Sequence, residues 1–368
     1  MAVLGVSSIT PAFPQVADAF QLTPRAVGLL VTLFTLPGVI LTPIFGVLAD
    51  RLGRKRIIVP SLILFAVAGS ACGLARDFHL LLGLRFLQGV GAASLGALNI
   101  TIVGDLYRGW RRATAMGYNA SVLSVGTASY PAIGGALAAL GWFYPFFLPV
   151  LAFPVALLVV TRLRNPEPSG HAELGTYLRN ALAIVRNPSA VALFSASLAI
   201  FIILYGAMLT FLPFLLRDRF DASAPVIGLV FSATSAATAM TSFRLGRMAR
   251  RFSSRALVRA GFVLYGLALV GIPLAPSLPA LLVPALVFGL GHGVNIPSVL
   301  TILSELAPDE YRAVLMSVNG MVLRLGQTLG PLVAGAMLGL AGLPGTYYGS
   351  AVLAAAMLVV VTAFVREG

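Results

Sequence analysis

Long apolar runs separated by short polar loops set the pattern of this chain. Runs of about twenty residues are long enough to cross a bilayer as helices. The pattern predicts twelve, ending near residues 17, 48, 75, 104, 139, 161, 213, 246, 276, 306, 340 and 365. In hydrocarbon a backbone must satisfy its own hydrogen bonds, so each run is predicted to be helical. The alternating ten-residue segments of a membrane barrel do not occur.

The pattern repeats at an offset of 200 residues. The basic loop Gly46-Val47-Leu48-Ala49-Asp50-Arg51-Leu52-Gly53-Arg54-Lys55-Arg56 returns, altered, as Gly246 to Ala256. Phe20, Gly28 and Leu29 return as Phe220, Gly228 and Leu229; Gly89 and Gly91 as Gly289 and Gly291. Arg112, Met116 and Asn119 return as Arg312, Met316 and Asn319, and Gly126, Pro131 and Gly135 as Gly326, Pro331 and Gly335. Aligned Leu and Ala would mean little in so apolar a chain; aligned Arg, Asn, Pro and Gly mean a duplication. Six spans per copy is an even number, so both copies enter the membrane in the same sense, related by an axis along its normal.

The predicted domains are a six-helix bundle over 1–164, a linker over 165–188 and a second bundle over 189–368. Pro166, Pro168 and Gly170 break helices at the linker's start. Residues 172–186 then place apolar positions at helical spacing. Two readings stay open, a short helix on the membrane surface and a plain linker. By the repeat, the first span would begin about ten residues before Met1. That end lacks the basic n-region of a signal peptide.

Composition agrees: 58% hydrophobic and 10% charged residues exclude a water-soluble domain. The net charge of +13 is unevenly placed. Eighteen of the 25 Lys and Arg fall in loops on one predicted side, and only Arg25, Arg76, Arg217 and Arg219 on the other. That bias is the positive-inside signal, and it puts both termini in the cytoplasm of a cell inner or plasma membrane. The charge orients the chain, so no nucleic-acid partner is expected. Cys72 is the single cysteine, which rules out an intrachain disulfide or a cysteine zinc site. His79, His171 and His292 lie far apart, so neither a metal site nor a membrane enzyme is expected. Gly289-Leu290-Gly291-His292-Gly293 is not a dinucleotide loop, because no strand precedes it; no cofactor is expected.

The motifs resemble the major facilitator superfamily across essentially the whole chain. Gly46 to Arg56 resembles that family's signature between spans 2 and 3, G-x-L-x-D-R-x-G-R-[KR]-[KR]. Arg85-Phe86-Leu87-Gln88-Gly89 resembles its fourth-span motif R-x-x-Q-G. Gly117, Gly126, Pro131, Gly134 and Gly135 resemble its fifth-span antiporter motif, with Tyr130 standing where a glycine is expected. The resemblance implies an all-α membrane protein with twelve transmembrane helices in two pseudo-symmetric bundles. It implies a carrier of small molecules that opens alternately to either side. Its cargo would sit near the midplane between the halves, among spans 1, 4, 7 and 10, with 5 and 11 contributing. The antiporter motif marks the drug–proton exporters of the family, so proton-coupled efflux by a monomer in the lipid bilayer is the expectation.

The same resemblance implies a conformational latch built from Gly46, Asp50, Arg51, Gly53, Arg54, Asp105 and Arg112. Asp105 would pair with Arg51 or Arg54, and Asp50 would meet the start of span 11 near Asp309 and Glu310. Arg250 replaces Asp50 in the second copy, so a second latch is expected to be weak or missing. Simple topogenic charge is the plainer account of the same residues.

Ionisable residues inside apolar runs are costly and mark pathways. Arg85, Gln88 and Asn99 share roughly one face of span 4. His292 and Asn295 lie one turn apart in span 10, and histidine titrates in the range a proton carrier needs. Arg324 stands in span 11 where the first copy has Ser124. Arg85 as a structural side chain bonded to backbone carbonyls, and His292 as a merely hydrogen-bonded one, are the plainer alternatives. No carboxylate is expected deep in any span, which favours neutral or anionic cargo. An organic-anion or lipid transporter is therefore the second reading. A non-transporting membrane sensor is a third, though no loop is long enough for a soluble sensing domain.

Overall fold

The computed structural model describes residues 3–163, 187–306 and 309–365, without the side chains of Ala113 and 309–314. The first apolar run is not one helix. It forms α1 (Leu4–Ser7), a 3-10 turn (Thr10–Ala12) and α2 (Phe13–Ala19). Pro11 and Pro14 are the second residues of the later pieces. Proline has no N–H to continue a preceding helix but starts a new one well.

Thr23 caps α3 (Pro24–Leu52), accepting from the Ala26 N–H at 3.4 Å. That helix ends at Gly53, whose φ of +97° lets α4 (Arg54–Cys72) begin at once. Asp77 caps α5 (Phe78–Leu106), accepting from the Leu80 N–H at 2.8 Å. α6 (Gly109–Ala138) follows, then a 3-10 stretch (Tyr144–Leu151) that runs into α7 (Ala152–Arg162). α8 (Pro188–Ile203) passes through a π-helical stretch (Leu204–Phe211) into α9 (Leu212–Phe220). α10 (Ala224–Met248), α11 (Ser254–Leu274), α12 (Leu278–Leu306) and α13 (Asp309–Phe364) complete the described chain. α13 breaks at Ala341 and Gly342, the latter at φ +68°.

Among the described residues, nine helices are long and apolar enough to cross a membrane, against an expected twelve. The shortfall has identifiable causes. The first run is in pieces. α6 is 30 residues long but carries Arg111, Arg112, Asn119 and a series of Ser and Thr. The last two runs count as one segment, Leu315–Phe364, because the helix continues through its bend. The helix considered over 172–186 lies outside the described residues.

The chain divides into two compact units, Met1–Ala172 with Ser223–Leu229, and Glu173–Ala222 with Val230–Gly368. Inside each, the same crossings recur 200 residues apart. A side chain at Gly89 would strike the Phe34 carbonyl, and one at Gly289 the Thr234 carbonyl. Thr42 donates to the Ala93 carbonyl at 2.9 Å, and Ser242 to the Gly293 carbonyl at 3.0 Å. Lys55 reaches the Val160 carbonyl at 2.5 Å, and Arg255 the Thr362 carbonyl. Hydrogen bonds between membrane helices average only about 0.6 kcal/mol. Close van der Waals contact at the glycine crossings must therefore supply much of the cohesion.

Candidate functional site

The basic loop of the first unit folds around one guanidinium. Gly53 turns the chain in the left-handed region and sets Arg54 beside the end of α3. Arg54 Nη2 lies 2.9 Å from Asp50 Oδ1, and its Nε 2.8 Å from Asp105 Oδ2. Its Nη1 also donates to the Ala49 carbonyl at 3.4 Å. The arginine is 9% exposed, while Asp50 and Asp105 are 45% and 28% exposed. Water thus reaches both acids, and the cluster contributes about 1–2 kcal/mol rather than the larger figure of a buried pair. Of the two partners considered for Asp105, Arg54 is the one observed. Arg51 is exposed and outside the bridge. Arg112 brings its guanidinium near Gly104, next to Asp105. Gly46 has open space where a side chain would go, so close packing does not explain its glycine. The side chains near the start of span 11 expected to face Asp50 lie outside the described residues.

Arg85 is fully buried. Its Nε donates to the Leu30 carbonyl at 3.1 Å, and its Nη1 to the Gly5 carbonyl at 2.9 Å and to Gln88 Oε1 at 2.6 Å. The guanidinium carbon stands 4.3 Å from the Phe34 ring centroid, a cation–π distance. One side chain of α5 thereby ties α1 and α3 to its own helix. Asn99 does not join this cluster. It lies lower on α5, exposed, and donates to Asn119 Oδ1 of α6 at 2.7 Å.

The second unit has Ala285 where the first has Arg85. One turn further along α12 this unit carries an aromatic stack against α11. Tyr265 of α11 lies on Phe288 of α12, with centroids 4.4 Å apart and planes within 4°. The Tyr265 hydroxyl and His292 Nδ1 share a hydrogen bond of 2.5 Å. Asn295 is fully buried, beside that hydroxyl and against Gly261. His292 and Asn295 are thus brought together, and Tyr265 joins them.

Arg324 is half-buried on α13, with Gln327 Oε1 3.4 Å from its Nη1 and Tyr205 within electrostatic reach. Tyr205 belongs to the π-helical stretch, where the Thr210 hydroxyl donates to the Tyr205 carbonyl at 2.6 Å. Such widened turns are rare and concentrate at functional positions. Gly330 packs within van der Waals distance of Gly206 there.

The antiporter-like series on α6 is not uniform. A side chain at Gly134 would run into the Ser8 backbone, and one at Gly135 into the Ala224 carbonyl at 2.5 Å. Gly126 faces the Tyr130 ring, which a side chain would meet at 2.7 Å. The tyrosine that departs from the motif therefore rests on one of the motif's own glycines, one turn away. Pro131 lies within the helix, and its carbonyl meets Gly228. Gly117 has open space.

Tyr265, Tyr205, Gln327, Phe34 and Asn119 complete these clusters and were not singled out from sequence as site residues. Asn119 left a signal as one of the residues repeated at 200, and Gln327 as the helix neighbour three residues after Arg324. The others meet their partners through helix register. Among the described residues no buried Asp or Glu occurs, and no group of His, Cys, Asp and Glu is placed to hold a metal.

Comparison with known proteins follows the same lines. The family model described as Major Facilitator Superfamily matches residues 1–224 and 205–368. Multidrug resistance protein 1 of Bacillus subtilis (strain 168) is 27% identical over 339 residues, covering 91% of this chain and 86% of that protein. Quinolone resistance protein NorA of Staphylococcus aureus (strain MRSA252) is 24% identical over 342 residues, again covering 91% and 86%. The inward-facing, unoccupied crystal structure of a bacterial homologue of the human lysosomal transporter Spinster superposes with a TM-score of 0.80 at 20% identity, over 99% of this chain and 91% of that one.

Proposed function

The chain belongs to the Major Facilitator Superfamily, and from that premise we propose that it exports small amphipathic compounds in exchange for protons. It is a multi-pass membrane transporter of small molecules; the direction, the coupling ion and the cargo class are the proposal. The observation that carries it is the packing of Gly134 and Gly135 against backbone at Ser8 and Ala224. A helix held that closely leaves no room for leakage beside a path that must exchange cargo against ions. The multidrug and quinolone resistance proteins similar to this chain along 91% of its length support the direction.

In this reading twelve spans form two bundles, 1–164 and 189–368, joined by a linker over 165–188. Both termini are cytoplasmic, and the monomer works alone. Arg85, Gln88, Asn99, His292, Asn295 and Arg324 line the path of cargo and proton. Arg54, held by Asp50 and Asp105, latches the state open to the outside and lets go when the transporter opens inward. Gly46, Gly53, Arg51 and Arg112 shape and charge that latch.

Inverted vesicles with an acidic interior test the reading. Accumulation of a lipophilic dye that collapses when an uncoupler dissipates the gradient is expected. Dye movement indifferent to the gradient would overturn proton coupling.

One observation favours a second reading, transport of an organic anion or lipid. In the described spans Arg85 is fully buried and Arg324 and His292 are half-buried, with no buried carboxylate among the described residues to meet a cation. Thermal stabilisation by a panel of organic acids separates the two, since a ligand that binds only the folded state raises its stability. Stabilisation by acids that vanishes in Arg324→Ala supports the anion; none in the parent protein removes it.

A further inference from the structure

A groove of about 590 Å³ opens on the second unit between α11 and the last turns of α13. Its floor is made of small residues, Ala256 and Ala260 of α11 and Ala363 of α13. Val263 and Val359 form its apolar walls and are exposed, at 44% and 66%. Arg259 lines it one turn along α11 from Ala256, the lining residue nearest the basic loop. Just beside it, Arg255 clasps the Thr362 carbonyl, which pins the two helices together at the groove's base.

The stretch of chain that carries α11 is one-sided in charge. From residue 222 to residue 304 the chain contains no Asp or Glu. It contains Arg244, Arg247, Arg250, Arg251, Arg255 and Arg259. Arg259 thus stands one turn into an apolar slot, on a stretch of chain whose charged residues are all arginines. A hydrocarbon chain gains little by moving from bulk lipid into such a slot, because both surroundings are equally apolar. Its occupant is therefore chosen by charge at the headgroup, where each arginine favours an anionic lipid.

We propose that this groove binds one anionic phospholipid, with its phosphate on Arg259 and an acyl chain lying over the alanine floor. From Ala256 to Val263 the helix rises about 10 Å, enough to seat the upper part of one chain. The proposal concerns the outer surface of one unit and is independent of what the protein transports.

The test is native mass spectrometry of the full-length protein, released from detergent with dioleoyl phosphatidylglycerol or dioleoyl phosphatidylcholine. One phosphatidylglycerol is expected to stay bound about five-fold more tightly than phosphatidylcholine, the preference one surface arginine gives. Arg259→Gln should erase that preference. Ala260→Phe, which fills the floor and keeps every charge, should lose the bound lipid; Val263→Trp is the second filling variant should the first not fold. An equal loss in Arg251→Gln, outside the groove lining, would mean diffuse surface charge and would overturn the site. So would displacement by millimolar inorganic phosphate, which would make it a site for free anions. Dye efflux scored in parallel keeps a failure here separate from a failure of the export reading.

Discussion

The two units cross their helices at the same glycines but fix them with different chemistry. At the α3–α5 crossing of the first, a fully buried guanidinium bonds two carbonyls and Gln88. At the matching α10–α12 crossing of the second, Ala285 is silent, and a tyrosine, a phenylalanine and a histidine instead stack across α11 and α12, the counterparts of α4 and α5. The loops differ too. Arg54 with two acids closes the first, whereas Ser254 and Arg250 leave nothing comparable in the second. Duplication kept the backbone contacts, which admit only glycine, and released the polar side chains to diverge. Each unit can then hold and release different groups while keeping one scaffold.

The sharpest break in that comparison is Arg85→Ala. It strands the Gly5 carbonyl and Gln88 in a dry interior, while the Leu30 carbonyl keeps its bond within α3. Each unpaired group costs about 1–3 kcal/mol, so a loss of about 3 kcal/mol or more is expected. Tyr265→Phe removes one hydrogen bond from the corresponding stack and should cost about 1 kcal/mol. Thermal unfolding of the two variants in detergent measures the difference. Equal shifts would mean that Arg85 does not hold its unit together and that its bonds form only incidentally.

The shared crossings come next. Gly89→Ala and Gly289→Ala each force a methyl group onto a backbone carbonyl, an overpacking worth about 1–3 kcal/mol. The two should cost about the same, because this feature was not released to diverge. Gly117→Ala meets open space and should leave both the unfolding midpoint and dye efflux near those of the parent. A severe Gly117→Ala defect would assign that glycine a role in motion that its static surroundings do not reveal.

Smaller again is the loop. Arg54→Ala leaves Asp50 and Asp105 facing each other, both part-exposed, and should cost about 1–2 kcal/mol. Its effect on efflux should exceed its effect on the unfolding midpoint if the cluster is a latch. The reciprocal change, Arg250→Asp with Ser254→Arg, offers Glu305 the same arrangement on the exposed side and should gain under about 1 kcal/mol. Rates and midpoints that fall in step would reduce Arg54 to a structural bridge.

What was legible in advance follows the range of the interactions. Helix ends and the copy at 200 residues depend on neighbours in the chain, and sequence pattern reads those directly; the Asp50–Arg54 pair is just as local, but Asp50 was expected to face the start of span 11 instead. The broken first span was also written locally, in Pro11 and Pro14, but its continuous hydropathy hid it. The choice of Arg54 over Arg51 needed the positive φ of Gly53, which decides which guanidinium turns toward α5. The Tyr265–Phe288–His292 stack was out of reach, because it depends on the register of two helices packed side by side. The π-helical stretch at Leu204–Phe211 has no compositional mark at all.

The smallest test of divergence lies at matched helix starts. Asp77 caps α5 with a carboxylate at 2.8 Å, and Ser277 offers its hydroxyl to the Ala280 N–H at 3.4 Å. The Leu80 N–H holds the exposed Asp77 carboxyl below the ordinary aspartate range. A group whose folded pKa is depressed contributes fully above its unfolded value, about 3.9, and loses that contribution as pH falls through the lower folded value. Hydrogen-exchange protection of the Leu80 amide should therefore decline on acidification below that range, while that of Ala280, capped by a hydroxyl that does not titrate, should hold. In Asp77→Ser the decline should disappear. Persistence of the decline in that variant would trace it to opening of the helix end and not to the cap.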